Sequence, residues 1–144
     1  MRQLLFIPFI LCVLLTSSYC TKKTSVSTAD ITKLNGTWEL NFMDSLTTPF
    51  EAFYPNNKPF IMFDVGNNMV SGNTSCNSFS GKLNVTGNKI DFTQPMAMTR
   101  SFCQGEGENA FLLRLNKVKT WSLIDDHTLQ FMIDEMAIMR FTKK

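Results

Sequence analysis

The sequence predicts a mainly β (α+β) domain: a curved antiparallel sheet or partial barrel of seven to eight strands packed on one α-helix at about residues 106–119. Three observations predict it. Apolar and polar residues alternate with period two in a series of short runs. Gly, Asn and Asp clusters punctuate those runs at short intervals. A helical period occurs over one stretch only, and a single helix cannot cover both faces of a flat sheet, so the sheet must curve around it.

The elements follow in chain order. Trp38, Leu40 and Phe42 alternate with Thr37, Glu39 and Asn41, the pattern of a half-buried strand with those three apolar residues on its inner face. Residues 44–58 contain Pro49, Pro55 and the pair Asn56-Asn57, and read as a loop. Phe60–Asp64 is a short strand that turns at Gly66-Asn67-Asn68 into Met69–Gly72. Gly81–Thr86 and Lys89–Thr93 form a second hairpin around Gly87-Asn88. Pro95–Arg100 alternates again, with Met96 and Met98 on one face. In Glu106–Lys119 the residues Phe111, Leu112, Leu115 and Val118 fall on one helical face. Glu106 and Glu108 near its start, and Lys117 and Lys119 near its end, suit the helix dipole. Trp121–Ile124, Thr128–Ile133 and Ala137–Phe141 return to strand, with turns at Asp125-Asp126-His127 and Asp134-Glu135. Parallel neighbours need crossovers of about a dozen residues, so connections this short impose antiparallel pairing.

The first 19 residues have a different character and read as a signal peptide. Arg2 supplies a positive start, Leu4–Leu15 is an uncharged apolar run, and Thr16–Tyr19 is small and polar apart from the tyrosine. The run covers only about 18 Å as a helix, against the roughly 30 Å of a bilayer's hydrocarbon. Ser17-Ser18-Tyr19-Cys20 resembles a bacterial lipobox, with Ser17 and Tyr19 standing where Leu and a small residue are usual. Cys20 is therefore the expected lipid attachment site; ordinary cleavage after Ser18 is the alternative. Cysteine parity favours lipidation. Cys12 lies within the signal, and a lipid on Cys20 leaves an even pair, Cys76 and Cys103, in the exported domain. Residues 20–33 are polar and Ser/Thr-rich, a lipid-anchored tether spanning about 20 Å r.m.s.. The folded domain is expected over 34–144, a length that fits one domain.

Three motifs in order resemble one family. Leu34-Asn35-Gly36-Thr37-Trp38-Glu39-Leu40 opens the domain. Val70-Ser71-Gly72-Asn73-Thr74-Ser75-Cys76-Asn77-Ser78-Phe79-Ser80-Gly81 is the most specific stretch. Met96-Ala97-Met98-Thr99-Arg100-Ser101-Phe102-Cys103 precedes the helix with Glu108, Phe111 and Leu115. Together they resemble the META domain, also called the HslJ-like family, often found in bacterial envelope lipoproteins. One departure is Ser75, where the family usually has Gly before the Cys-Asn pair. The resemblance implies a β-rich fold with a curved sheet and a helix, association with heat shock, antibiotic tolerance and envelope stress, and no established enzymatic activity. A similar fold occurs in a pilot lipoprotein that assists secretin assembly.

The residues themselves offer no reaction centre. The chain has one histidine, His127, in a turn where solvated side chains are usual. Cys76, Cys103 and one histidine make a poor zinc set. Met96-x-Met98 could suit Cu(I), but methionines at period two also suit a core. Asp125-Asp126 and Asp134-Glu135 are turn pairs, and no phosphate loop is present. Net charge is +2 with the charges dispersed, which gives no reason to expect nucleic acid. No catalytic residue, cofactor or metal is expected. Export makes a Cys76–Cys103 disulfide the expected pairing, with two buried free thiols as the alternative. The expected function is that of a non-enzymatic, membrane-tethered, monomeric envelope module. It would bind a protein partner or serve assembly or stress, from a lipid-anchored position facing the periplasm. The alternative is a binder of a small apolar ligand in the concave face of the sheet, lined by Phe60, Phe63, Phe92, Trp121 and Phe131.

Overall fold

The structure, a computed structural model, describes residues 30–44 and 48–144. The signal peptide 1–19, Cys12, the lipid site Cys20 and the tether up to residue 29 lie outside the described residues. Among the described residues no helix is long and apolar enough to cross a membrane.

Among the described residues ten strands form one antiparallel sheet: β1 (Gly36–Met43), β2 (Phe60–Asp64), β3 (Met69–Asn73), β4 (Ser78–Lys82), β5 (Asn84–Thr86), β6 (Lys89–Asp91), β7 (Ala97–Met98), β8 (Thr120–Asp125), β9 (Thr128–Ile133) and β10 (Met136–Lys143). Their order across the sheet is β5-β6-β8-β9-β10-β1-β2-β3-β4-β7. Among the described residues two α-helices accompany it, α1 (Phe50–Phe53) and α2 (Gly107–Leu115). The order dictates the curvature. β4 and β5 are separated by Leu83 alone, yet stand near opposite ends of the order. One residue reaches only about 3.5 Å, so the two ends must approach each other and the sheet curls into a partial barrel. Leu83 is buried at the seam, and its N–H donates to the Asn68 carbonyl at 2.9 Å.

That seam explains the strand count of ten rather than seven or eight. Gly81–Thr86, expected as one strand, divides between β4, which pairs with β3, and β5, which pairs with β6. Three other boundaries differ from expectation. Asp30 caps a 3₁₀ turn over Ile31–Leu34 by accepting from the Thr32 N–H at 3.0 Å, and Leu34 is fully buried, so residues 30–33 belong to the domain and not to the tether. The helix ends at Leu115 and not at 119, because Lys119 is already bound into the sheet: its N–H donates to Met132 and its carbonyl accepts from Ile90. The segment expected as loop contains α1, started after Pro49 and followed by Tyr54.

Phe42 is a correction. A register shift between Leu40 and Phe42 in the β1–β10 ladder reverses the alternation, so Trp38 and Leu40 point inward while Phe42 is 37% exposed with the Arg140 guanidinium 5.1 Å from its ring centre. Trp38 is fully buried and its indole N–H donates to the Leu34 carbonyl at 2.7 Å. The interior is filled with rings. Phe131 stands at 6.4 Å from Phe63, 5.3 Å from Phe92 and 5.0 Å from Phe141 between ring centres. Of the five aromatics expected to line a ligand cavity, four are buried in this core and Phe60 points outward, because Ile61 and Phe63 take the inner face of β2. A small apolar ligand would have to displace these rings.

Helix α2 closes the barrel from one side. Ala110, Phe111 and Leu115 are buried, and the Phe111 ring lies 6.3 Å from that of Phe79. Arg114 pairs with Asp44 at 3.5 Å, tying the helix to the end of β1. The Tyr54 hydroxyl donates to the Gly107 carbonyl at 2.7 Å, and burial pushes the phenol above its ordinary value. Gly107 has no room for a side chain there: a Cβ would lie 2.8 Å from the Phe53 carbonyl oxygen and from the Tyr54 ring. Elsewhere Asp64, Asp91 and Asp125 cap the turns that follow them. Their carboxyls are held below the ordinary value by hydrogen bonds from Asn67, Thr93 and His127 respectively.

Candidate functional site: a disulfide-clasped loop beside helix α2

The chain leaves β3 at Asn73 and enters β4 at Ser78, and the four residues between them are tied to themselves and to two other segments. Asn73 accepts from the Ser75 N–H at 2.9 Å through its side chain. The Thr74 N–H donates to the Asn77 carbonyl at 2.8 Å, and the Asn77 N–H donates back to the Thr74 hydroxyl oxygen at 3.0 Å. This reciprocal turn requires Ser75 at φ +86°, a conformation that glycine adopts without cost. The resemblance noted above implies a glycine at this place, and the backbone gives that implication a physical reason. Ser75→Gly is expected to stabilise the domain by about 1 kcal/mol. A denaturant midpoint that falls on this substitution would show that the serine side chain contributes more than its strained backbone costs.

Cys76 and Cys103 are joined in a disulfide with Cα atoms 6.0 Å apart, linking this turn to the loop that leads into α2. Asn77, 2% exposed, clasps the three segments together. Its side-chain carbonyl accepts from the Thr99 hydroxyl at 2.8 Å and the Ser101 N–H at 2.7 Å. Its amide donates to the Ser101 carbonyl at 3.1 Å and to the Glu108 carboxylate at 3.0 Å. The fully buried Thr74 also donates its hydroxyl to Glu108. Glu108 stands in the first turn of α2, so one carboxylate fixes the helix to the turn through two buried partners. Every polar atom of the Asn77 side chain is thus satisfied, as burial demands. Gly72 completes the motif by close packing: a Cβ there would meet the Phe60 carbonyl oxygen at 2.2 Å and the Phe79 ring at 2.6 Å.

The clasp leaves one large side chain outside. Phe102 lies between Ser101, held by Asn77, and Cys103, held by the disulfide, yet it is 91% exposed. A cleft of about 230 Å³ opens at the disulfide between Tyr54, Asn57, Ser75, Cys103 and Gln104. A second, of about 600 Å³, shares Asn57, Ser75 and Cys76 with the first and reaches Phe60. His127 has no part in this site. It is exposed in the β8–β9 turn, where its N–H donates to Asp125 and its carbonyl accepts from Lys143. Met96 and Met98 pack against the core and are only partly buried. Sequence reasoning placed both cysteines in motifs but missed Asn77, Thr74 and Glu108 as one network. The available signal was a run of small hydrogen-bonding residues around each cysteine with an acid just inside the helix.

Fold and clasp together define a small, curved antiparallel domain with one buried polar knot. A family model for the META domain matches residues 29–144, and the chain belongs to the META domain family. No curated protein matches it closely enough to add to this. Two solved structures share the fold. One is the NMR structure of a protein from Burkholderia xenovorans, at 18% identity and a TM-score of 0.58, covering 77% of this chain and 83% of the other. The second is a crystal structure of a DUF4847 family protein from Bacteroides vulgatus, at 14% identity and a TM-score of 0.54, covering 77% of this chain and 94% of the other.

Proposed function

We propose that this chain is a non-enzymatic, membrane-tethered module of the bacterial cell envelope whose clasped loop presents Phe102 to a protein partner, in envelope assembly or stress. The observation that carries the reading is the combination at residues 101–103: an aromatic side chain 91% exposed on a backbone fixed at both sides. Aromatic anchors dominate protein interfaces, and a loop ordered beforehand loses less entropy on binding. The anchored position rests on the apolar run at Leu4–Leu15 and on Cys20. A disulfide in the domain suits an oxidising compartment outside the cytoplasm. The reading of no catalytic role rests on chemistry: the one histidine sits in a solvated turn, and the Glu108 carboxylate serves to hold the clasp through Asn77 and Thr74.

The test combines fractionation with cross-linking in cells. Cys20→Ser is expected to move the protein from the membrane to the soluble fraction. A photo-reactive residue at Gln104 in the otherwise native chain is expected to give one discrete adduct, lost on Phe102→Ala. That substitution removes an exposed side chain and is expected to change stability by less than about 0.5 kcal/mol. A probe at Leu113, 60% exposed on α2, serves as control. Equal adducts from both positions, or an adduct indifferent to Phe102→Ala, would refute the loop as the binding element.

A further inference from the structure

The disulfide and the helix acid that hold the clasp also stand together as a compact group. One ligand atom each from Cys76, Cys103 and Glu108 lies within 4.8 Å of the others, and all three residues are half-buried. All three also line the 230 Å³ cleft, so the group is open to solvent on one side. Two thiolates and a carboxylate are the donor set of a zinc-type ion, with a fourth place left for water. From these positions we infer that the reduced domain carries a divalent zinc-type metal site made by Cys76, Cys103 and Glu108.

The geometry asks for little movement. Sulfurs on one tetrahedral Zn²⁺, at bonds of about 2.3 Å, stand about 3.8 Å apart. Disulfide sulfurs stand about 2.0 Å apart. Each must withdraw by about 1 Å, a rotation about its Cα–Cβ bond, while the backbone stays where the turn and the Asn77 hydrogen bonds hold it. Glu108 can offer one carboxylate oxygen and keep the other on Thr74. The Asn77 amide nitrogen is 3.2 Å from the Cys103 sulfur and 3.8 Å from that of Cys76, placed to donate to a coordinating thiolate. The electrons and protons balance with a dithiol as reductant. The Cys76–Cys103 bond breaks, two electrons and two protons pass from the dithiol, and the dithiol closes to its own disulfide. Metal then displaces two protons from the thiols, which makes binding stronger as pH rises. Oxidation of the pair reverses this and expels the ion.

Cobalt(II), a coloured stand-in for Zn²⁺, tests the inference on the full chain in mild detergent. Cys12→Ser and Cys20→Ser leave only the domain's two thiols. After reduction with a phosphine, Co²⁺ is expected to bind one to one, with sulfur-to-cobalt charge-transfer bands and tetrahedral visible bands that Zn²⁺ abolishes. The oxidised protein is expected to show neither. Glu108→Gln keeps the hydrogen-bonding shape but removes the ligand charge. Loss of an outer-shell partner alone costs about 10–100-fold in affinity, so at least a tenfold weakening is expected here. Near-UV circular dichroism reports whether the reduced protein stays folded. Absent bands, unchanged affinity in Glu108→Gln, two chains per metal, or a reduced protein that is unfolded with and without metal would each overturn the site.

Discussion

Replacing Trp38 with Ala is expected to cost the domain about 3–5 kcal/mol, the range for truncating a fully buried large aromatic. Trp38 is 0% exposed on β1, the strand flanked by β10 and β2. Its indole N–H also satisfies the Leu34 carbonyl at 2.7 Å, so truncation leaves both a cavity and an orphaned acceptor. The 3₁₀ turn capped by Asp30 should loosen with it, since that bond ties the turn to the strand. Total stabilities of domains this size are about 5–15 kcal/mol, so the variant is expected to be marginal at body temperature. Chemical denaturation checks this: a loss under about 1 kcal/mol would mean that the indole contributes little and that its surroundings collapse to fill the space.

Removing the bridge with Cys76→Ser and Cys103→Ser together is expected to cost about 3.5 kcal/mol. The disulfide closes a loop of 27 residues, and the chain-entropy model gives that figure for such a loop. The melting temperature should fall by roughly 15 °C. The effect should be felt unevenly. The barrel strands β8, β9, β10, β1 and β2 are held by their own ladders. The loop 100–105 is fastened to the rest of the domain by the Asn77 hydrogen bonds at Ser101 and by the bridge, so its amide protons should exchange much faster than those of β9. Equal loss of protection in both regions would place the bridge in the cooperative core instead of at its margin.

The parts of the fold legible in the sequence were those whose pattern is local. Alternation around Trp38 and Leu40, the Gly87-Asn88 turn and the apolar face of Phe111 and Leu115 each follow from neighbours within a few residues. Where long-range pairing decided the outcome, the sequence was less informative. The bulge that turns Phe42 outward exists because β1 must match β10, a hundred residues away. The division of Gly81–Thr86 at Leu83 exists because the curled sheet brings its two ends together there. Phe60 read as an inner aromatic until its partners Ile61 and Phe63 claimed the core face. At the site, motif resemblance singled out Cys76, Asn77 and Cys103. Glu108 read only as a helix-dipole charge, because nothing local says that it reaches Thr74 and Asn77 more than thirty residues back.

A domain clasped by a disulfide makes one requirement above the others: the bridge must exist in the protein as cells make it. Intact mass measures this directly. The protein is isolated from the envelope fraction, unfolded without reductant, alkylated, and weighed beside a sample reduced first. Cys76 and Cys103 are expected to take up no alkyl groups in the first sample and one each in the second. Two alkyl groups on Cys76 and Cys103 without prior reduction would contradict the bridge, and with it the clasp that holds Phe102 in place.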